Sequence, residues 1–465
     1  MSVISLRSKS RYSGVSFTGD FKTSGMVRSN TNMQNILIIF YYGKYPPRTT
    51  IIDHLYSFQR HSGQRCFYLD LAVQNIPKYI DKIDFDLIIF HTIFLSARWH
   101  LPTFTRIVEK VRLLKGNPAI KIALPQDEFY RTDVVCDFIN EFGIDHVFSV
   151  SPPSEWQKIY KTVDFQEVKF HPVLTGYLEE TTMARIKRLS QTIDKKNIDI
   201  GYRAWQAEPW LGRHGFLKTL LAERFQDDIQ TEDLNTDIST HPNDTILGDA
   251  WYDFLLRCKY TIGVEGGASI LDWDGTLREK TNLYLEQYPN ATFEEVELAC
   301  FPDQDGSLSL FAISPRHLEA CATKTCQILL SGSYNGILTA GKHYIELKLD
   351  FSNLDNVLRI IKNDTEREKI VENAYSDIVQ SKKYTYSHFV EQILRISLRS
   401  GNTSKKNTTI PFLWWMNKLE SNLAWVKSFM RGAVLYPTYL RFLNLLPSHL
   451  KTLIMNLENS WKSRK

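Results

Sequence analysis

The 465-residue chain is notable first for what it lacks. Its six cysteines, at positions 66, 136, 258, 300, 321 and 326, include no CxxC pair, so neither a zinc site nor a disulfide scaffold is indicated and a reducing compartment is expected. No apolar run reaches the roughly 18 residues needed to span a bilayer. Residues 1–30 contain no apolar core of a signal peptide. No RNA-binding motif is present, which argues against a nucleic-acid partner. Hydrophobic residues at 43% and charged residues at 23% are ordinary globular values, and the length calls for two or three domains.

Charge is unevenly spread. Residues 405–465 hold ten Lys/Arg against two Asp/Glu, a net of +8, and residues 1–30 carry +4. The whole chain is +4, so an acidic body of −8 lies between two basic ends. Basic ends suit anionic partners such as a membrane surface or nucleic acid. Residues 1–30 are Ser-, Arg- and Gly-rich without any period and are expected to be a disordered extension, with Met33 a natural starting point for the folded chain.

Continuous apolar strands then alternate with helical stretches: Asn35–Tyr41, Cys66–Asp70, Phe85–His91, Ile120–Leu124 and His146–Ser149. Such runs, buried on both faces, indicate a parallel sheet covered by helices. The pattern restarts at Ile198–Arg203 and continues through Tyr260–Val264, Cys326–Leu330 and His343–Leu347. The expected class is therefore α/β, with two tandem doubly wound Rossmann-like domains over 31–190 and 195–400 and a helical tail over 405–465. Ligands of such domains bind beyond the carboxyl ends of the strands. There His91 ends a strand and Asp127 follows another. Each reads either as a structural residue or as a group that orients or deprotonates an acceptor hydroxyl.

Within Ile313–Leu330, a helix starting near Pro315 puts Arg316 and Glu319 on one face beside free N-terminal amides. The pair reads as a surface ion pair, or as an arginine on phosphate and a carboxylate on ribose hydroxyls. Gly263-Val-Glu-Gly-Gly-Ala-Ser269 is rich enough in small residues for the amides of Gly266, Gly267 and Ser269 to approach a phosphate, or simply to make a tight turn. Asp272-Trp-Asp274 and Asp303-Gln-Asp305 are DxD pairs, a minority metal-binding reading.

The stretch Arg316-His-Leu-Glu319-Ala320 and the run from Asp350 to Leu394 resemble glycosyltransferases of the spore-maturation type and, more distantly, the large retaining GT-B family. The Gly263-Val-Glu-Gly run leading into Asp272-Trp-Asp274-Gly275 is similar to polysaccharide-locus glycosyltransferases. The resemblance covers residues 35–395 and is best over 255–395. It implies a GT-B fold and a nucleotide-sugar donor bound without metal or other cofactor. It also implies that Arg203 and Lys218 neutralise the donor diphosphate beside Arg316 and Glu319. The acceptor would be a saccharide or lipid-linked hydroxyl in surface polysaccharide biosynthesis, including lipopolysaccharide. The large family carries a second glutamate eight residues before the first, where this chain has Phe311. A catalytically silent GT-B binding or scaffold subunit is the alternative.

In the tail, Phe412, Trp415, Met416, Leu419, Leu423, Val426 and Met430 recur at helical spacing, as do Leu450, Leu453, Ile454, Leu457 and Trp461. A basic, tryptophan-bearing amphipathic helix suits a membrane interface, and the same stripe also suits packing on the body or on a second copy. The expected location is cytoplasmic, peripheral at the inner membrane.

Overall fold

The computed structural model describes residues 33–42, 48–230, 232–398 and 410–429. The first unit is built on strands β1 (Asn35–Phe40), β2 (Arg65–Asp70), β3 (Leu87–Phe90), β4 (Ile120–Ala123), β5 (His146–Ser149) and β6 (Lys169–Pro172), all parallel and ordered β2-β1-β3-β4-β5-β6. The second contains β7 (Ile198–Arg203), β8 (Thr236–Ser239), β9 (Cys258–Gly263), β10 (Gly266–Ala268), β11 (Leu310–Ala312), β12 (Cys326–Leu330) and β13 (Ile345–Leu347). Five of these form a parallel sheet ordered β13-β12-β9-β7-β8, while β10 and β11 pair as a separate antiparallel ribbon. Every residue of β1 is buried, which is why it reads as an unbroken apolar run after Asn35. Two parallel Rossmann-like sheets in tandem are the GT-B arrangement.

The strand order of each sheet reverses once, between β1 and β3 and between β7 and β9. Crevices open at such switch points. Helix α1 (Thr49–His61) leaves the first and α2 (Gly212–Asp228) the second. Helix α3 (Asp249–Arg257) leads into β9, α4 (Thr276–Gln287) lies between β10 and β11, and α5 (Pro315–Ala322) leads into β12. The excursion between β9 and β12 packs on the first unit, where Trp210, Ile270, Phe301 and Leu310 share one core with Phe90 and Phe138.

Helix α6 (Tyr386–Ser397) follows the second unit in sequence yet packs on the first. Its Phe389, Val390 and Ile393 are fully buried in the cluster that holds Leu55 and Phe58. Helix α7 (Ile410–Phe429) lies along β2, the edge strand of the first sheet. Asn417 behaves there like a neighbouring strand: its Oδ1 accepts from Tyr68 N at 2.8 Å and its Nδ2 donates to Tyr68 O at 3.0 Å. Trp414 Nε1 donates to Cys66 O at 3.0 Å. The edge is thereby covered, which removes an open template for strand pairing.

The expected tail helix is thus present over part of its length. Met430 and the second stripe, from Leu450 to Trp461, lie outside the described residues, as does the extension 1–32. No helix among the described residues is long and apolar enough to cross a membrane.

Asn417 is 1% exposed and satisfies both backbone groups of Tyr68. Asn417→Leu keeps the branching and number of side-chain heavy atoms but strands those groups under the helix. It should lower unfolding stability by about 1–3 kcal/mol, read as a shift of the urea midpoint.

Candidate functional site

The two switch points meet at one junction, where Arg48, which follows β1, lies over Trp205, which follows β7. On the first unit's side it is shaped by the loop from Leu124 to Arg131, which follows β4. Arg98, with no exposed surface, holds this loop from within. Its Nη2 donates to Gln126 O at 2.7 Å and Asp127 O at 2.6 Å, its Nε to Tyr130 O at 2.9 Å, and its Nη1 to Leu95 O at 3.0 Å. From the other side the backbone of the excursion grips it: Asp272 N donates to Phe129 O at 2.8 Å and Arg131 N to Asp272 O at 2.9 Å. Asp127 (φ 52°) and Arg131 (φ 46°) are both left-handed. The Asp127 side chain is exposed. Its neighbour Glu128 is buried and accepts from Ser149 Oγ at 2.7 Å and Ser151 N at 3.1 Å, with burial raising its pKa against these bonds.

On the second unit's side, Lys218 stands one turn beyond His214 on α2. Burial lowers its pKa, the charge of Arg316 lowers it further, and Asp127 across the cleft opposes both. Arg316, at the start of α5, donates Nη1 to Arg203 O at 2.7 Å and lies 5.6 Å from the Trp251 ring centre. The first unit contributes Arg48, which precedes α1 and sits over the exposed Trp205 at 4.9 Å. Its pKa is lowered by burial and then by Arg316. Arg48, Lys218 and Arg316 therefore share one field, and none has a carboxylate within 4.0 Å among the described residues.

The remaining residues singled out in the sequence have other engagements. Arg203, expected on the diphosphate, pairs with Asp237 of β8 at 2.6 Å and covers Phe254 at 4.7 Å. Glu319 is 7% exposed, and its Oε2 accepts from Trp251 Nε1 at 2.8 Å. Burial raises the Glu319 pKa, with Trp251 opposing. Gly267 (φ 115°) is dictated by the ribbon, since a Cβ there would lie 1.8 Å from Leu310 O. Gly266 pairs in the same ribbon with Ala312.

Ser269 Oγ accepts from His214 N at 3.1 Å and Asp305 Oδ1 accepts from Arg213 N at 3.0 Å. The amides that open α2 are thus filled by the chain itself. Asp272 caps α4 through Leu277 N (3.1 Å) and Arg278 N (2.9 Å), and Asp274 accepts from Thr276 N at 3.1 Å. Among the described residues no group of three or more His, Cys, Asp and Glu is placed to hold a metal.

His91 lies inside the first unit at 1% exposure. Its Nδ1 accepts from Ile93 N at 3.3 Å and its Nε2 meets His54 Nδ1 at 2.6 Å. With Nδ1 an acceptor, the proton belongs on Nε2, which donates to His54. Phe311 stacks on His214 with ring centres 3.8 Å apart, so an aromatic contact occupies this position. Sequence reading passes over Arg48, Trp205, His214 and Arg98. Only Arg48 and His214 carry a local signal, each lying at the start of a helix that leaves a switch point.

No known family profile matches the chain, and no curated protein matches it. Among solved structures, HepE of Anabaena with UDP-glucose is similar at 10% identity and a TM-score of 0.43, over 78% of this chain and 99% of that one. An α-glucosyltransferase with UDP-glucose and abasic-site DNA is similar at 9% and 0.46, over 79% and 100%. Sucrose-phosphate synthase from Thermosynechococcus elongatus is similar at 11% and 0.42, over 78% and 98%. At these identities and scores the likeness adds nothing to what the two strand orders already establish.

The buried histidine pair has a consequence for stability. Burial lowers the His54 pKa to about 4, and burial together with His54 holds His91 well below its ordinary value. Unfolding exposes both at about 6.5. Between these values the unfolded chain binds more protons, so this contribution is complete above about pH 6.5 and is lost as pH falls toward 4. Relative to His54→Asn, the parent should lose roughly 1 kcal/mol per pH unit across that window, checked by urea unfolding of both at stepped pH.

Proposed function

We propose that this protein is a glycosyltransferase that moves a sugar from a nucleoside-diphosphate donor to a hydroxyl of a saccharide or lipid-linked acceptor in surface-polysaccharide synthesis. The observation that supports this best is the trio Arg48, Lys218 and Arg316, three cations at the mouth of two switch points with no carboxylate within 4.0 Å among the described residues. Cations so arranged suit a diphosphate and stabilise the charge that develops as it leaves.

In this reading Lys218 and Arg316 bind the diphosphate from the donor unit, and Arg48 closes on it from the other unit. Glu319 accepts donor hydroxyls after giving up the Trp251 indole. Asp127, which faces Lys218, serves the acceptor hydroxyl. His91 is sealed behind α1 and supports the first unit rather than touching substrate. Its burial also favours the second reading, a donor-binding subunit that does not catalyse transfer. Hydrolysis of the donor in the absence of acceptor separates the two.

UDP-glucose, held by two of the similar structures, is the first donor to try. Losing one charge-assisted contact is worth about 1.5–3 kcal/mol, or roughly tenfold to a hundredfold in affinity. Lys218→Ala and Arg316→Ala should each weaken donor binding by that factor in calorimetry across a panel of nucleotide sugars. Wild-type affinity in both would remove the assignment.

Three protein cations in the diphosphate field leave no need for a divalent ion, and the DxD carboxylates already serve as helix caps. Donor turnover should therefore survive EDTA within about twofold. Complete loss on chelation, restored by manganese or magnesium, would move the diphosphate to Asp272 and Asp274.

A further inference from the structure

Helix α7 carries apolar side chains on two opposite faces. The face against β2 consists of Ile410, Trp414, Asn417, Ser421 and Ala424, and it is held by hydrogen bonds to Cys66 and Tyr68. Half a turn away, Phe412 (60% exposed), Trp415 (55%), Leu419 (44%), Leu423 (60%) and Val426 (48%) form one stripe facing away from the protein. At 1.5 Å per residue it runs about 20 Å. Lys418 lies over the Trp414 ring at 4.1 Å, along the flank of the stripe.

Three occupants suit such a stripe. A second copy of the chain needs roughly 800 Å² per partner, whereas five half-exposed side chains offer about 500 Å², on the order of 100 Å² each. A second copy would also bring another segment of +8 against the first. Residues 430–465 of the same chain hold six Lys/Arg against one Asp/Glu, so they share the sign of the helix they would cover. An anionic lipid surface suffers neither penalty: it takes a narrow apolar stripe at acyl depth and attracts Lys418 beside it.

We propose that the outward face of α7 is a docking surface for an anionic membrane, entered by Phe412, Trp415, Leu419, Leu423 and Val426. The first unit then meets the bilayer along the β2 edge of its sheet. Vesicle binding needs no nucleotide, so this proposal stands or falls separately from glycosyl transfer.

The test uses the full chain with phosphatidylcholine vesicles, with and without phosphatidylglycerol. The chain should float with the anionic vesicles only, and added salt should weaken the binding. A variant carrying Trp415→Ser, Leu419→Ser and Leu423→Ser changes only outward positions. It should keep the parent's thermal midpoint and lose at least about tenfold in partitioning. As a measurement independent of that variant, Leu423→Cys gives a selective label, because all six native cysteines are buried. An environment-sensitive dye there should shift to the blue on adding anionic vesicles.

Equal flotation of parent and triple variant would overturn the proposal, since binding would then rest on charge alone. An unshifted dye would overturn it as well. So would failure of the parent to float, whether it sediments as a monomer or as a dimer that the triple variant dissolves.

Discussion

The double restraint on the loop from Leu124 to Arg131 is what the cleft depends on. Arg98 takes three of the loop's carbonyls from inside the first unit, and the backbone of Asp272 pairs with Phe129 and Arg131 from the second. Burying a guanidinium costs several kcal/mol unless its donors are met, and here four carbonyls meet them. Two left-handed non-glycine residues cost on the order of 1–3 kcal/mol each, which a loop held from one side alone would relax away. The carboxylate of Asp272 meanwhile caps α4, so one residue joins a helix start to an inter-unit bridge. The result is a fixed position for Asp127 opposite Lys218.

That fixed geometry holds like charges close together. Arg48 and Lys218 both feel the charge of Arg316, Asp127 offsets it in part at Lys218, and an anion between the three would relieve the repulsion. Arg203 shows the contrast. It is the same residue type at the same end of the sheet, but the adjacent strand offers Asp237, and the charge is spent within the unit. Whether a basic residue near a strand end binds ligand or stabilises the sheet is decided by what lies one strand away.

This also marks how far the sequence could be read. Strands buried on both faces, such as Ile36–Phe40 and Ile328–Leu330, announce themselves as apolar runs. Lys169-Phe-His-Pro172 and Thr236-Asp-Ile-Ser239 do not, because they sit at sheet edges and half their side chains meet water. Arg316 and Glu319 were legible from their helical spacing. The fates of Ser269, Asp272 and Asp274 were not, since an oxygen that caps a helix and an oxygen that binds a ligand use the same chemistry and the same local sequence. Arg48 and Trp205 meet only because two units close on each other, and nothing in either neighbourhood records the other. His91 occupies the strand end that its position implied, yet His54, from the helix beside it, closes over it.

Helix α7 carries the same lesson into surface chemistry. Its apolar repeat was plain in the sequence, and the ordinary rule sends such a face to the core. Here Ile410, Leu413 and Trp414 do join the core at that edge. The edge also presents the N–H and C=O of Tyr68, and an open strand edge is satisfied by hydrogen-bonding groups rather than by methyl groups. Asn417 and Ser421 answer that demand among the buried Ile410 and Ala424 and the half-buried Trp414, and a second apolar stripe is left outside. A helix committed in this way cannot be a detachable tail, because removing it uncovers the sheet. The stripe it carries is for the same reason fixed in orientation to the first sheet, and whatever covers that stripe sets the orientation of the cleft as well.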